Sequence, residues 1–230
     1  MALLGCGRIA FDPVSAEIPD AAGRLCDGMT DVLYCSDFER GELGPMFNSG
    51  AAFVPGGGHL GSDAFSIRSP PGLGRALTLR LDPPVTAGKL HIGGRLFYAA
   101  GLPTESYVVA AQMISNADKI SMDLNSVDRV QVVTTLDTPD AIVGPPGSFA
   151  RDRWICFELI TVIGRPNAGA RVTLLFDGAV VLDGFTDHDT QPGPGYTSVE
   201  LASVSSPSNL RDETFVFDNW IVSTRPIGCP

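Results

Sequence analysis

Between Arg75 and Leu81, three leucines (Leu77, Leu79 and Leu81) alternate with Thr78 and Arg80. A period of two puts the leucines on one face of a strand and the polar pair on the other. Ile120, Met122 and Leu124 repeat the pattern between Lys119 and Leu124. The same alternation, or a short run of β-branched and apolar residues, predicts strands over 31–39, 51–55, 63–68, 74–81, 89–99, 106–115, 118–124, 128–135, 153–163, 170–177, 179–183, 196–204 and 213–224. Asp177-Gly178, between Val172–Phe176 and Val180–Leu182, predicts a hairpin, because a type I′ turn needs positive φ at both central residues. Gly56-Gly57-Gly58, Pro145-Pro146-Gly147 and Gln191–Gly195 break the train, and no segment sustains a helical period. The stretches Tyr34–Gly41 and Phe215–Thr224 read as first and last strands that pair with each other. Together these features predict an all-β sandwich of two antiparallel sheets.

A sandwich of this kind accommodates 230 residues as one domain. Residues 29–230 are assigned to it. Residues 1–28, punctuated by Asp12-Pro13 and Pro19-Asp20 and without sustained periodicity, are assigned to a tether. The chain carries 26 acidic and 16 basic residues, net charge -10, with no basic cluster. Nucleic acid and anionic membrane surfaces are therefore poor partners. No run of about 18 apolar residues is present to span a bilayer.

The segment Met1-Ala2-Leu3-Leu4-Gly5-Cys6 resembles the end of a bacterial lipoprotein signal, in which apolar residues and a small one precede the cysteine to be lipidated. It implies lipidation at Cys6, a clipped signal, and a secreted or outer-surface location. Of five cysteines, lipidation leaves Cys26, Cys35, Cys156 and Cys229, which allow three pairings. If the first and last strands run antiparallel with Asp37 opposite Asp218, Cys26 falls opposite Cys229. The expected disulfides are then Cys26–Cys229 and Cys35–Cys156.

The order Asp37-Phe38-Glu39, Arg75–Arg80, Trp154-x-Cys156-x-Glu158, Val172–Gly178 and a closing Phe217-Asp218-Asn219-Trp220 resembles concanavalin A-like jelly-roll domains. The nearest varieties are the laminin-G-like and polysaccharide-lyase-like domains of secreted bacterial proteins. The likeness covers roughly residues 30–229 and implies a concave sheet that holds saccharide. It also implies a structural Ca²⁺ bound by acids of the first and last strands, here Asp37, Glu39 and Asp218. A hard cation takes several oxygen ligands, which carboxylates on adjacent strands can supply.

Catalytic signatures are weak. Glycoside hydrolysis uses two carboxylates about 5–9 Å apart. The Glu-x-Asp-x-x-Glu pattern of laminarinase-type relatives is absent, and Asp118 and Asp123 have the wrong spacing. Asp187-His188-Asp189 sits in a loop. The Gln-x-His and Tyr-x-Lys motifs of alginate-type lyases are also absent, although Arg95, Tyr107 and Gln112 supply residue types that β-elimination uses. His59, His91 and His188 read as loop or strand-face residues. Arg95, Tyr98, Tyr107, Gln112, Asn125 and Arg129 are the candidate saccharide-binding residues. Glu158, between Phe157 and Leu159, needs a partner, and Arg95 or Arg171 is expected to provide it. The resulting reading is a non-catalytic module whose partner is a glycan or a cell-surface protein. The alternatives are a polysaccharide lyase or glycosidase with a non-standard site, and a structural or assembly protein.

Overall fold

The computed structural model describes residue 25 and residues 29–98, 107–116, 118–125, 127–136, 138–205 and 212–229. Cys6 and Cys26 lie outside them, and with them the expected lipidation site. The described residues form two antiparallel sheets. One contains β1 (Val32–Ser36), β3 (Ala51–Val54), β4 (Ala64–Ser69), β6 (Gly88–Phe97), β11 (Trp154–Ile163), β12 (Arg171–Phe176), β13 (Ala179–Gly184) and β15 (Glu213–Ser223). The other contains β2 (Phe47–Asn48), β5 (Gly74–Val85), β7 (Tyr107–Ser115), β8 (Asp118–Asn125), β9 (Arg129–Thr134), β10 (Asp140–Val143) and β14 (Tyr196–Ser205). Strand order is β13-β12-β11-β6-β15-β4-β3 in the first sheet and β10-β9-β8-β7-β14-β5-β2 in the second.

The alternation legible in the sequence sorts side chains between core and surface. Leu77, Leu79, Ile120, Met122, Leu124, Val199 and Leu201 of the second sheet pack against Leu90, Ile92, Leu96, Phe157, Leu159 and Phe215 of the first. The Asp177-Gly178 hairpin joins β12 to β13 with φ of 50° and 79°, as a type I′ turn requires.

The ends of the chain do meet: β1 pairs with β15. One edge of β15 carries two partners in succession. Its residues Glu213–Phe217 pair with β4, and Trp220–Ser223 pair with β1. Its other edge runs along β6, with an irregularity between Asp218 and Ile221. Asn219 takes a positive φ of 56° there. Gly94 faces this bulge, and a Cβ on it would stand 2.5 Å from the Asn219 carbonyl oxygen. Trp220 is then fully buried, edge-on to Tyr34.

The bulge and the path of the tail overturn the expected disulfides. The β1–β15 register shifts between Val32 and Tyr34, and Cys35 lies opposite Ile221. Past Ser223 the chain does not continue the ladder. Thr224 donates to the Asp31 carbonyl, and the tail crosses β6 towards β11. There Glu158 receives the Ile227 N–H at 2.9 Å and the Gly228 N–H at 3.3 Å. Cys229 pairs with Cys156, Cα–Cα 5.7 Å, so neither Cys26–Cys229 nor Cys35–Cys156 forms. Cys35 is also disulfide-bonded.

Glu158 finds its partner in His91, whose Nδ1 lies 2.7 Å from Oε1, and not in Arg95 or Arg171. Arg171 pairs instead with Asp183. Burial works to raise the Glu158 carboxyl, but His91 and the two tail N–H groups outweigh it and hold the group below its ordinary range.

Closing a loop of 73 residues, the Cys156–Cys229 bridge contributes about 4 kcal/mol by restricting the unfolded chain. Replacing Cys229 by serine is expected to lower the unfolding free energy by about 2–4 kcal/mol in denaturant titration. An unchanged midpoint would show that the tail adds nothing to the sandwich.

Candidate functional site

The outward-facing residues of the second sheet line up across strands. Thr78 lies opposite Glu200, Glu200 opposite Gln112, Gln112 opposite Ser121, and Ser121 opposite Val133. One pleat along, Val109 lies opposite Asp123 and Asp123 opposite Gln131. A further pleat brings Tyr107, Asn125 and Arg129 into line. Each side chain points away from the core for the same reason that Leu77, Met122 and Leu201 point into it: the period is two.

The centre of this face is recessed and polar. Gln112, Ser121, Asp123 and Gln131 are buried, while Thr78, Glu200, Lys119, Val133, Asn125 and Arg129 around them are half-buried. Glu200 accepts the Thr78 hydroxyl at 3.0 Å and the Gln112 amide N–H, so both its oxygens are engaged. Asn125 donates to Gln131 at 3.1 Å. Gln112 Oε1 and, at the end of the face, Arg129 Nε are buried without a hydrogen-bond partner, while the Ser121 and Gln131 side chains turn towards Asp123. Burial raises the Asp123 carboxyl above its ordinary range, against the opposing pull of Ser121, Lys119 and Gln131. Beside them, Ala76, Val109 and Ala202 form a small apolar cluster separate from the main core.

Four of the six candidate binding residues meet here: Tyr107, Gln112, Asn125 and Arg129. Tyr107, at 42% exposure, stands at the outer end of the face. Arg95 and Tyr98 belong elsewhere, because β6 is a strand of the other sheet. Tyr98 continues the inward series Leu90, Ile92 and Leu96. It is fully buried against Phe149 and Phe215, with its hydroxyl donating to Glu213. Arg95 points outward from the first sheet, opposite Asp218 and Cys156. Glu200 was missed by the sequence reading. Its signal was a lone acid on the polar phase of Ser198-Val199-Glu200-Leu201-Ala202, the same phase that yields Gln112 on β7.

The proposed cation ligands are brought together in part. A 3-10 turn at Glu39–Gly41 ends the first strand early, so Asp37 and Glu39 are not ladder residues. Asp37 instead accepts the Glu39 N–H at 3.1 Å as a turn cap. Glu39 Oε1 accepts the Asp63 N–H at 3.1 Å. Asp218 Oδ2 accepts the His59 N–H at 2.8 Å and the Ser62 hydroxyl at 2.6 Å, which pins the 56–63 loop to β15. Its Oδ1 is buried with no hydrogen-bond partner. Burial pushes the Asp218 carboxyl up to about 6, Ser62 and His59 pull it down, and the nearby Glu39 charge adds to the rise. Two carboxylates and an unpaired buried oxygen fit a hard cation, although no cluster of three or more ligating side chains occurs among the described residues. The remaining ligands would be carbonyl oxygens or water.

No protein-family model matches the chain, and no curated protein matches it. Solved structures do. One is the cellulose induced protein Cip1, with 14% identity and a TM-score of 0.62 over 86% of this chain and all of that one. A second is a botulinum neurotoxin type C structure that concerns cell entry through two ganglioside molecules. It has 8% identity and a TM-score of 0.61, over 85% of this chain and 48% of that one. A third is the binding domain of botulinum neurotoxin DC in complex with rat synaptotagmin II, with 8% identity, a TM-score of 0.60 and the same coverage. This chain thus spans about half the length of the neurotoxin chains it resembles. At these identities the likeness is one of fold, and the fold it shares is the jelly-roll β-sandwich.

Proposed function

We propose that the protein is a non-catalytic glycan-binding module and that its binding face is the outward surface of β14, β7, β8 and β9. The observation that carries this reading is the recessed polar row from Glu200 through Gln112 and Ser121 to Asp123, with the unpaired Gln112 carbonyl at its centre. A row of buried polar groups like this one suits a partner rich in hydrogen-bonding groups. The reading is in keeping with the ganglioside-related neurotoxin structure among the neighbours in fold. Chemistry on the same face has less support. Glu200 and Asp123 stand two strand spacings and one two-residue step apart, about 12 Å between Cβ atoms. Paired glycosidase carboxylates lie within about 5–9.5 Å. Gln112, the residue type that would neutralise a uronate, is committed to Glu200.

The same proposal places the chain outside the cytoplasm, with Cys6 as a lipid attachment point and a glycan or a cell-surface protein as partner. The Cys156–Cys229 bridge supports export, because disulfides persist in oxidising compartments. It also includes a structural Ca²⁺ held by Glu39 and Asp218, with Asp37 left as a turn cap.

The test of the binding face is a glycan array followed by calorimetry on any hit, for wild type and Gln112→Ala. The variant is expected to lose at least about tenfold in affinity, the cost of one or two buried hydrogen bonds. Equal affinity would move the site off this face, and new ultraviolet absorbance from unsaturated uronate would make the protein a lyase.

The cation is tested through pH. The folded Asp218 carboxyl titrates near 6 against an ordinary 3.8, so between these values the folded chain holds a proton that the unfolded chain releases. Its contribution is full below pH of about 4 and is lost as pH rises through about 6, a change of up to about 3 kcal/mol. Calcium-free wild type is expected to show this fall relative to Asp218→Asn. Ca²⁺ at a hundred times its Kd should restore about 2–3 kcal/mol at neutral pH in wild type alone. Equal calcium responses in the two proteins would remove Asp218 from the ligand set.

A further inference from the structure

Ile92 and Leu159 lie opposite each other and point into the core. By the period of two, their neighbours His91, Gly93 and Glu158 face the outside of the first sheet. An outward charged pair is ordinarily wet, yet Glu158 is 5% exposed and His91 1%. The cover is the chain's own tail. The Ile227 and Gly228 N–H groups donate to Glu158, one to each carboxylate oxygen, and His91 Nδ1 steadies the carboxylate from 2.7 Å.

Gly93 supplies the second half of the fit. A Cβ there would stand 3.2 Å from Ile227 Cδ1 and 2.9 Å from the Phe157 carbonyl oxygen, so the missing side chain makes the seat of Ile227. Glu158 lies opposite Gly93 on the β11–β6 ladder, which sets the acceptor and the seat side by side. The sheet thus reads two features of an extended segment: successive backbone N–H groups and a branched apolar side chain. Neither feature is peculiar to this tail.

The tail is fastened at both ends. The Thr224 N–H donates to the Asp31 carbonyl, and Arg225 Nε lies 2.7 Å from the Asp31 carboxylate. At the far end Cys229 is bonded to Cys156. Cys156 is buried and Cys229 is exposed, so an attacking thiolate meets the bridge at Cys229 Sγ.

We propose that β6 and β11 carry a binding groove for an extended peptide, lined by Gly93, Glu158 and Cys156, which the tail fills while the Cys156–Cys229 bridge is closed and vacates when a dithiol opens it. In the opening step a thiolate of the dithiol bonds to Cys229 Sγ, and Cys156 leaves as a thiolate that takes up a proton. The reagent's second thiol then displaces Cys229. The reagent ends as a disulfide and the protein's cystine as two thiols, a transfer of two electrons. Beyond Pro226 the tail then holds by two hydrogen bonds and one side chain, and a peptide with the same features competes for the groove. The groove lies on the sheet opposite the proposed glycan face and does not depend on it.

Two measurements on the full chain test this. In the first, wild type is treated with dithiothreitol in native buffer, then with iodoacetamide, and the labelled cysteines are mapped by mass spectrometry. Labels on both Cys156 and Cys229 are expected, and protection of Cys156 overturns the release. In the second, Ile227→Ser/Cys229→Ser protein is given a peptide with the sequence of Thr224–Cys229 whose cysteine carries thionitrobenzoate as a mixed disulfide. The Cys156 thiolate bonds to the peptide sulfur and expels thionitrobenzoate, read by absorbance and by the mass at Cys156. This peptide is expected to be captured at least about tenfold faster than one with aspartate in place of the isoleucine or sarcosine in place of the glycine. Cys229→Ser alone, whose tail still competes, should be captured more slowly than the double variant. Equal rates for the three peptides, or no capture at Cys156, overturn the groove, and equal rates for the two variants overturn the tail's place in it.

Discussion

The last strand holds three neighbours, and the rest of the sandwich is arranged around how it does so. β15 gives one edge to β6 and divides the other between β4 and β1. The change of partner falls at Asp218–Asn219, where Asn219 adopts a left-handed conformation and Gly94 yields the space a side chain would fill. One consequence is that Asp218 is left at a gap in the ladder, free to gather the 56–63 loop through the His59 N–H and the Ser62 hydroxyl. Another is that the tail leaves the ladder and is tied across β6 and β11 by Glu158 and the Cys156–Cys229 bridge.

These attachments divide the surface between the two sheets. On the first sheet, loop and tail occupy the outward side of β15, β6 and β11, where Glu158 is held by His91 and the tail and one oxygen of Asp218 by the loop. On the second sheet the outward side of β14, β7 and β8 carries polar groups whose hydrogen bonding is incomplete. Glu200 and Gln112 fix each other, and that fixed pair presents an unpaired carbonyl beside Ser121 and Asp123. One sheet face holds the chain ends, and the other presents a polar row centred on Gln112 and Glu200.

Much of this was legible in the sequence because the period of two is local. Leu77, Leu79 and Leu81 announced a buried face, and by the same rule Gln112, Asn125 and Arg129 announced an outward polar one. The pairing of the chain ends was legible in the matched strand-like segments around Cys35 and Asp218. Sheet membership was not, because alternation is the same in either sheet. Arg95 and Tyr98 were therefore grouped with Gln112, although β6 runs beside β15 and not beside β7. The turn at Glu39–Gly41 cut the first strand short and turned Asp37 into a cap. The disulfides depended on the path of six residues after Ser223, which no local pattern encodes. Glu200 was readable in principle, since its strand alternates cleanly, but its significance comes from the Gln112 opposite it.

The most direct test of the account is where a bound sugar perturbs the protein. Side-chain amide and backbone NMR signals should be followed during titration with an oligosaccharide that binds. The account predicts shifts at the Gln112 amide, at Ser121 and Asp123, and more weakly at Asn125. Shifts confined to Trp154, His59 and the tail around Ile227, with Gln112 unmoved, would contradict it and place recognition on the other sheet.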